Sequence, residues 1–342
     1  MNVVRVQFAP GDESAIRGDA AMRRLALGKG LRYALVLLAI VTLNFVLPRL
    51  LPGDPVLNLM GEHYSYSQEA FAEIRHSLGL DRPWPEQYLR YLRDMATGQF
   101  GYSFTFKRPV VDVLGAHLPW TALLLAPSVV FGALAGLLFG TLAGWRRGGR
   151  LDAVVTGAAL LGYAFPQFWL AMLAITVFAF RLGLVPLAGA TSGEGPSLAG
   201  ALSVLRHLAL PLLVVTLSKA AYDAVLVRNS VVATLAEDHV IAALARGVPV
   251  AVVALRHVVY NSLAPLVTVT ALQFGNLFAG ALLVEVVFSW PGMGLVIYEA
   301  VAGRDYPLVQ ASFLLIAVCV LAANYLADLA YAWLDPRIRA NG

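Results

Sequence analysis

The 342-residue chain is 59% hydrophobic, carries only 13% charged residues and has a mean hydropathy of +0.71. Roughly 25% charge is usual for a soluble domain, so the deficit points to a polytopic membrane protein. The net charge of +4 comes from basic residues spread over loops, which suits topology signals and argues against a nucleic-acid footprint. The single cysteine, Cys319, lies in an apolar run and leaves disulfides, zinc cages and thiol catalysis nothing to build on.

Residues 1–30 form a mixed polar tail with several arginines, and no small-residue cleavage site follows the first apolar run. That run, 31–50, is long enough to cross roughly 30 Å of hydrocarbon. Leu51-Pro52-Gly53-Asp54-Pro55 ends it, and 52–118 is the one long polar region, with helices expected around 67–78 and 84–97. The second span, 118–144, carries Gly132, Gly136, Gly140 and Gly144, a spacing that opens a groove for another helix. A basic turn from Trp145 to Asp152 closes it. The third span, 153–180, contains Pro166, which should kink it. A Gly/Pro-rich loop follows at 181–207, then a fourth span at 208–228, a fifth at 263–286 and a sixth at 308–333.

Between spans four and five, residues 229–262 mix polar and apolar positions where their neighbours are nearly all apolar. Val240, Ile241, Leu244 and Val248 share one helical face. Glu237 and Asp238 suit the start of that helix, and Arg246 suits its end. Gly247 fits the position just past the C-terminus, and Pro249 the first turn of a new helix. In span four, Lys219 and Asp223 lie four residues apart and so share a face. Each charge near mid-membrane costs about 2.5–3.5 kcal/mol on insertion scales, so neither should face lipid. Two readings stay open: a mutual ion pair that lets the helix insert, or one wall of a translocation cavity shared with Gln273 and Asn276 of span five.

The order of residues from Glu237 to Pro265, with Gly247 after Arg246 and then His257, Asn261 and Pro265 at intervals of four, resembles the "EAA" loop of ABC-importer permeases. Three further stretches are similar to the peptide/nickel branch of that family. They are Leu78-Gly79-Leu80-Asp81-Arg82-Pro83, Pro166-Gln167-Phe168-Trp169, and the run from Glu285 to Gly294 that includes Ser289-Trp290-Pro291-Gly292. The resemblance covers about 31–339. It departs from the family in the tail 1–30, in Asp223 where an aromatic is common, and in Ala224-Val225-Leu226-Val227-Arg228 where the family has Ala-Arg-Leu-Thr-Arg.

The resemblance implies an all-α polytopic membrane protein with six transmembrane helices, an external domain between spans one and two, and a cytoplasmic coupling helix between spans four and five. It implies a bacterial inner-membrane location and transport of di- or oligopeptides, with nickel or a metal chelate as the alternative. The implied partners are a second permease in a heterodimer, two ATPase subunits that bind ATP and magnesium, and an extracytoplasmic solute-binding protein. Glu237, Asp238, His239, Ala242, Ala243, Arg246 and Gly247 would meet the ATPase, with the alanines small enough for close docking.

The chain has no G-x-x-x-x-G-K-[ST] loop to cradle ATP phosphates, no H-E-x-x-H and no G-x-S-x-G, so no cofactor or catalytic centre of its own is expected. An intramembrane enzyme lacks its motifs, and a passive channel has no use for a coupling helix. Fourteen Lys and Arg flank the spans on the side of the termini and the coupling loop, against Arg181, Arg206 and Arg304 in the short loops opposite. The excess predicts cytoplasmic termini.

Overall fold

A computed structural model describes residues 30–46, 76, 81–193, 195, 197–272 and 274–334 of the chain. The expected helix at 67–78 therefore falls almost wholly outside the described residues. The protein is an all-α membrane protein. The helices are α1 (Gly30–Val46), α2 (Trp84–Ala96), α3 (Val110–Trp145), α4 (Arg150–Ala164), α5 (Gln167–Ala174), α6 (Leu198–Leu235), α7 (Asp238–Ala245), α8 (Val250–Val253), α9 (Tyr260–Leu272), α10 (Phe274–Phe288), α11 (Met293–Ala302) and α12 (Tyr306–Leu334). Widened stretches continue α5 through Ile175–Arg181 and join α8 to α9 through Ala254–Val259. Among the described residues, the only sheet is a hairpin pairing Tyr102–Ser103 with Arg108–Pro109.

Among the described residues, four stretches are long and apolar enough to cross a membrane: α3, α6, α8 through α9 (Val250–Thr270), and α12 (Tyr306–Tyr325). Two more qualify only as bent pairs, α4 with α5 at 99° and Phe278–Phe288 with α11 at 73°. The first break is written in the sequence at Pro166, and it is sharper than a kink. A residue before proline is pushed out of the helical region, and Phe165 sits at φ −90°, ψ 135°. Pro166 then caps α5 instead of continuing α4. The second break follows Ser289, a non-glycine residue at φ 49°. Helix α11 lies in the stretch between the expected fifth and sixth spans, where the sequence suggested only a connection.

Helix α3 is the hub. It starts at Val110, eight residues before the expected second span, although Pro119 and Pro127 lie inside it. Packing explains the extension: Val110, Val113 and Leu114 are buried with Met293, Val296 and Leu308 of α11 and α12. Tertiary burial outweighs local propensity there. On its other side α3 meets α6, which runs Leu198–Leu235 and so exceeds the expected 208–228 at both ends. Near the centre Leu124, Val214, Val215, Phe288 and Trp290 form a second cluster.

Four of the five glycines of α3, Gly132, Gly136, Gly140 and Gly144, face α6. A Cβ at Gly132 would come within 2.7 Å of Lys219 Cγ, one at Gly140 within 2.6 Å of the Ala224 carbonyl oxygen, and one at Gly144 within 2.7 Å of Val231 Cγ1. At Gly136 it would fall on Asp223 Cβ. The seam is thus held at a separation that only glycine permits.

Candidate coupling helix and translocation elements

After α6 ends at Leu235, the Glu237 carbonyl accepts from the Val240 and Ile241 amides at 3.0 and 3.1 Å and starts α7. The helix closes in a Schellman turn: Gly247 N donates to the Leu244 carbonyl at 3.0 Å, and Val248 N to the Ala243 carbonyl at 3.2 Å. Gly247 has φ +77°, and a Cβ there would meet nothing within 4 Å. The requirement is conformational, not steric. Pro249 then caps α8 at φ −54°, ψ 135°.

The apolar residues of α7 divide. Val240 and Ala243 are buried with Val253, against Trp145 at the end of α3 and Leu235 at the end of α6. Ile241 is 52% exposed and Leu244 40%. The expectation that both alanines lie on a docking surface is corrected for Ala243, which is 3% exposed and faces its own chain. The inward stripe at 240 and 243 follows the helical repeat, and that repeat leaves Ala242 on the outer side. Glu237, Asp238, His239, Ala242, Arg246 and Gly247 are all exposed. Glu237 lies 3.1 Å from His239 Nδ1, and the rings of His239 and His257 meet edge to face at 5.8 Å.

A clamp that sequence reading missed holds this end of the molecule. Arg228 grips Asp152 in two-pronged fashion, Nε to Oδ1 at 3.0 Å and Nη2 to Oδ2 at 2.8 Å. Asp152 also accepts from Gly148 N at 2.9 Å and Thr156 Oγ1 at 3.1 Å. The turn between α3 and α4 is thereby fastened to the last turns of α6. The pair is separated by 76 positions, so the only sign was one acid in a basic turn.

Lys219 and Asp223 do meet. Nζ donates to Asp223 Oδ2 at 2.5 Å and to Thr270 Oγ1 of α9 at 3.0 Å. Both side chains are buried beneath Gly132 and Gly136. Asp223 Oδ1 has no hydrogen-bond partner among the described residues. Within this chain the pair is an internal tie among α3, α6 and α9. Gln273 lies outside the described residues. Asn276 lies on α10, in a turn where only the backbone is described. Of the four candidate path residues, Lys219 and Asp223 are thus the two whose side chains are described, and these two meet.

At the second break, Glu285 of α10 is fully buried and accepts from Gly294 N at 2.5 Å, which places its carboxylate at the start of α11. Trp290 Nε1 donates to the Trp120 carbonyl at 2.9 Å, and Thr121 Oγ1 accepts from Met293 N at 2.7 Å. The run from Glu285 to Gly294 is thus a folded corner that fixes α11 against α3.

The family model described as "Binding-protein-dependent transport system inner membrane component" matches residues 136–340, and the model of the N-terminal part of such membrane components matches 22–125. The chain is 37% identical over 319 residues to the di/tripeptide transport system permease protein DppB of Pseudomonas aeruginosa, covering 88% of this chain and 94% of that one. It is 33% identical over 335 residues to the dipeptide transport system permease protein DppB of Alkalihalophilus pseudofirmus, covering 93% and 98%. The protein of that name from Escherichia coli K12 is 33% identical over 321 residues, covering 88% and 94%. Matched across both its membrane helices and the segment before them, the chain belongs to the inner membrane components of binding-protein-dependent transport systems.

Proposed function

We propose that this chain is the permease subunit of an ATP-driven importer of di- and oligopeptides and forms the translocation path with a second permease. Two ATPase subunits supply the energy, and an extracytoplasmic solute-binding protein delivers the cargo. The observation that carries this reading is the split face of α7, which ties Val240 and Ala243 into the ends of α3 and α6 and leaves Ile241 and Leu244 open to a partner. An exposed apolar pair on a short helix rimmed by charges suits a protein groove. Every relative described above is named for peptide cargo, which favours peptide over nickel.

A groove closing on α7 would displace it together with the ends of α3 and α6, to which its inward stripe is packed. The motion would pass to the α3–α6 seam, while the Asp152–Arg228 clamp carries α4 along. Orientation follows from the basic residues, with the termini and α7 in the cytoplasm.

Co-expression with its partner subunits and reconstitution in vesicles should give ATP-dependent uptake of a labelled dipeptide and none of nickel. Uptake without ATP, or of nickel alone, would overturn the assignment. In a Cys319→Ser background, cysteines at Ser65 and Gly193 should react with an impermeant thiol reagent from outside. Those at Gly148 and Glu237 should not, and outside labelling at 237 would reverse the orientation.

A further inference from the structure

Helix α2 has an arginine-rich face that the transport reading does not use. Its other face settles its position. Tyr88 and Tyr91 pack on Phe45 of α1 with ring centroids 5.2 and 5.4 Å away. The Tyr88 hydroxyl lies 2.7 Å from Thr42 Oγ1, and Asn44 Nδ2 donates to the Tyr91 hydroxyl at 3.3 Å. Asn44 also exchanges hydrogen bonds with Gln310 near the start of α12, at 2.7 and 3.0 Å. The helix is therefore fastened beside the last turns of one apolar helix and the first turns of another. In helices that cross a bilayer, such end turns lie toward the headgroups.

The opposite side of α2, with Arg82 two residues ahead of it, holds a cleft of about 620 Å³, lined by Arg82, Arg90, Arg93, Leu89, Asp94 and Thr97 among others. Three arginines and one carboxylate line the cleft, and that carboxylate, Asp94, is 3.8 Å from Arg90 with both side chains partly exposed. Glu86 lies outside the lining, one turn before Arg90 on the same side of the helix. Neither Arg82 nor Arg93 forms a side-chain ion pair with a described residue. Beside them Leu89 is 65% exposed, and at the start of the helix, on the tyrosine side, Trp84 is 52% exposed. On a helical wheel Leu89 lies between the tyrosine face and the arginines. An exposed Leu next to arginines of which two have no ion-pair partner among the described residues, with an exposed Trp at the helix start, makes a surface half suited to acyl chains and half to phosphate. Guanidinium is the side-chain group whose paired N–H donors match a phosphate.

We propose that α2 is a lipid-headgroup site: Arg82, Arg90 and Arg93 bind the phosphates of anionic phospholipid in the leaflet at that end of α1, with Leu89 and Trp84 resting at the acyl boundary. The site anchors the segment between α1 and α3 to the bilayer surface and needs no assumption about cargo.

The test uses the full chain with Cys319→Ser and a nitroxide at Ala96→Cys, an exposed position near Leu89 on the wheel. It is placed in nanodiscs of phosphatidylcholine, into which phosphatidylglycerol is titrated. The label should slow as phosphatidylglycerol rises and become accessible to oxygen. Each Arg→Gln change should raise the phosphatidylglycerol fraction at half-effect about fivefold. The triple variant R82Q/R90Q/R93Q should lose the response while staying monodisperse with unchanged helix content. Equal label motion in both lipids would overturn the proposal. So would slowing by sodium phosphate alone in detergent, which would mark an isolated anion site. Slowing only on addition of an acidic soluble protein would assign the arginines to a protein partner instead.

Discussion

The seam between α3 and α6 and the loop between α6 and α8 both depend on glycine, for opposite reasons. At Gly136 an added Cβ collides with Asp223, but the backbone is ordinary helix. At Gly247 an added Cβ meets nothing within 4 Å, but the backbone stands at φ +77°. Seam glycines are about space, so their neighbours decide what a substitution does. The loop glycine is about conformation, and no change in the neighbours relieves it. The contrast extends to the polar groups: the seam hides Lys219 and Asp223 completely, whereas α7 exposes Glu237, Asp238 and His239.

The largest expected effect lies in the seam. Asp223→Ala leaves a buried Lys219 without its carboxylate and should cost about 3–5 kcal/mol. Fluorescence-detected gel filtration after a heat step should show the loss. The neutral pair Lys219→Met with Asp223→Asn should recover assembly. If it also recovers wild-type peptide uptake, the pair is structural; if it assembles but loses uptake, the ions serve the translocation path as well.

Next comes Gly136→Ala, which overpacks the same seam and should cost about 1–3 kcal/mol. Gly157→Ala, where a Cβ meets nothing within 4 Å, is the control and should be neutral or slightly stabilising. Equal melting temperatures for the two variants would refute a space-limited seam.

In the loop, Gly247→Asp should cost only about 1 kcal/mol of local stability. The Schellman turn sets the direction of α8, so the variant should insert normally yet lose peptide-stimulated ATP hydrolysis. Normal coupled hydrolysis would remove the turn from the mechanism.

The smallest effect on stability is expected at Ile241. Ile241→Ser alters an exposed side chain and should fall within about 0.5 kcal/mol of wild type. Coupled hydrolysis should nonetheless fall, because the outward apolar pair is broken. The matching inward change, Val240→Ser, should destabilise without that selectivity. A reversed ranking would mean that the two sides of α7 have been assigned backwards.

Much of the loop was legible in the sequence because its signals are local. Glu237 and Asp238 before an apolar repeat, Gly247 after Arg246, and Pro249 beyond specify a helix, its stop and a restart within a few residues of one another. Pro166 likewise announced its break, since proline restricts its own backbone and that of Phe165. The seam was half legible: four glycines at intervals of four promised a groove but not its occupant. The division of α7 into inward Ala243 and outward Ala242 was not legible, because two alanines are chemically identical until Trp145 and Leu235 arrive from other helices. The Asp152–Arg228 clamp and the corner joining Glu285 to Gly294 were missed for the same reason.

By itself the sequence determined that this chain lives in a membrane, because a 13% charge content cannot cover a soluble surface of this size. It also determined the helix stops at Pro166 and Gly247, which depend on φ and on the N–H of single residues. Only the tertiary structure decided where those helices lie against one another. It put α6 in the glycine groove, so that Lys219 and Asp223 face Thr270 and each other, and it folded α11 back onto α3. The reason is that packing is a contest among surfaces distant in sequence, and its outcome depends on shapes that no local pattern records.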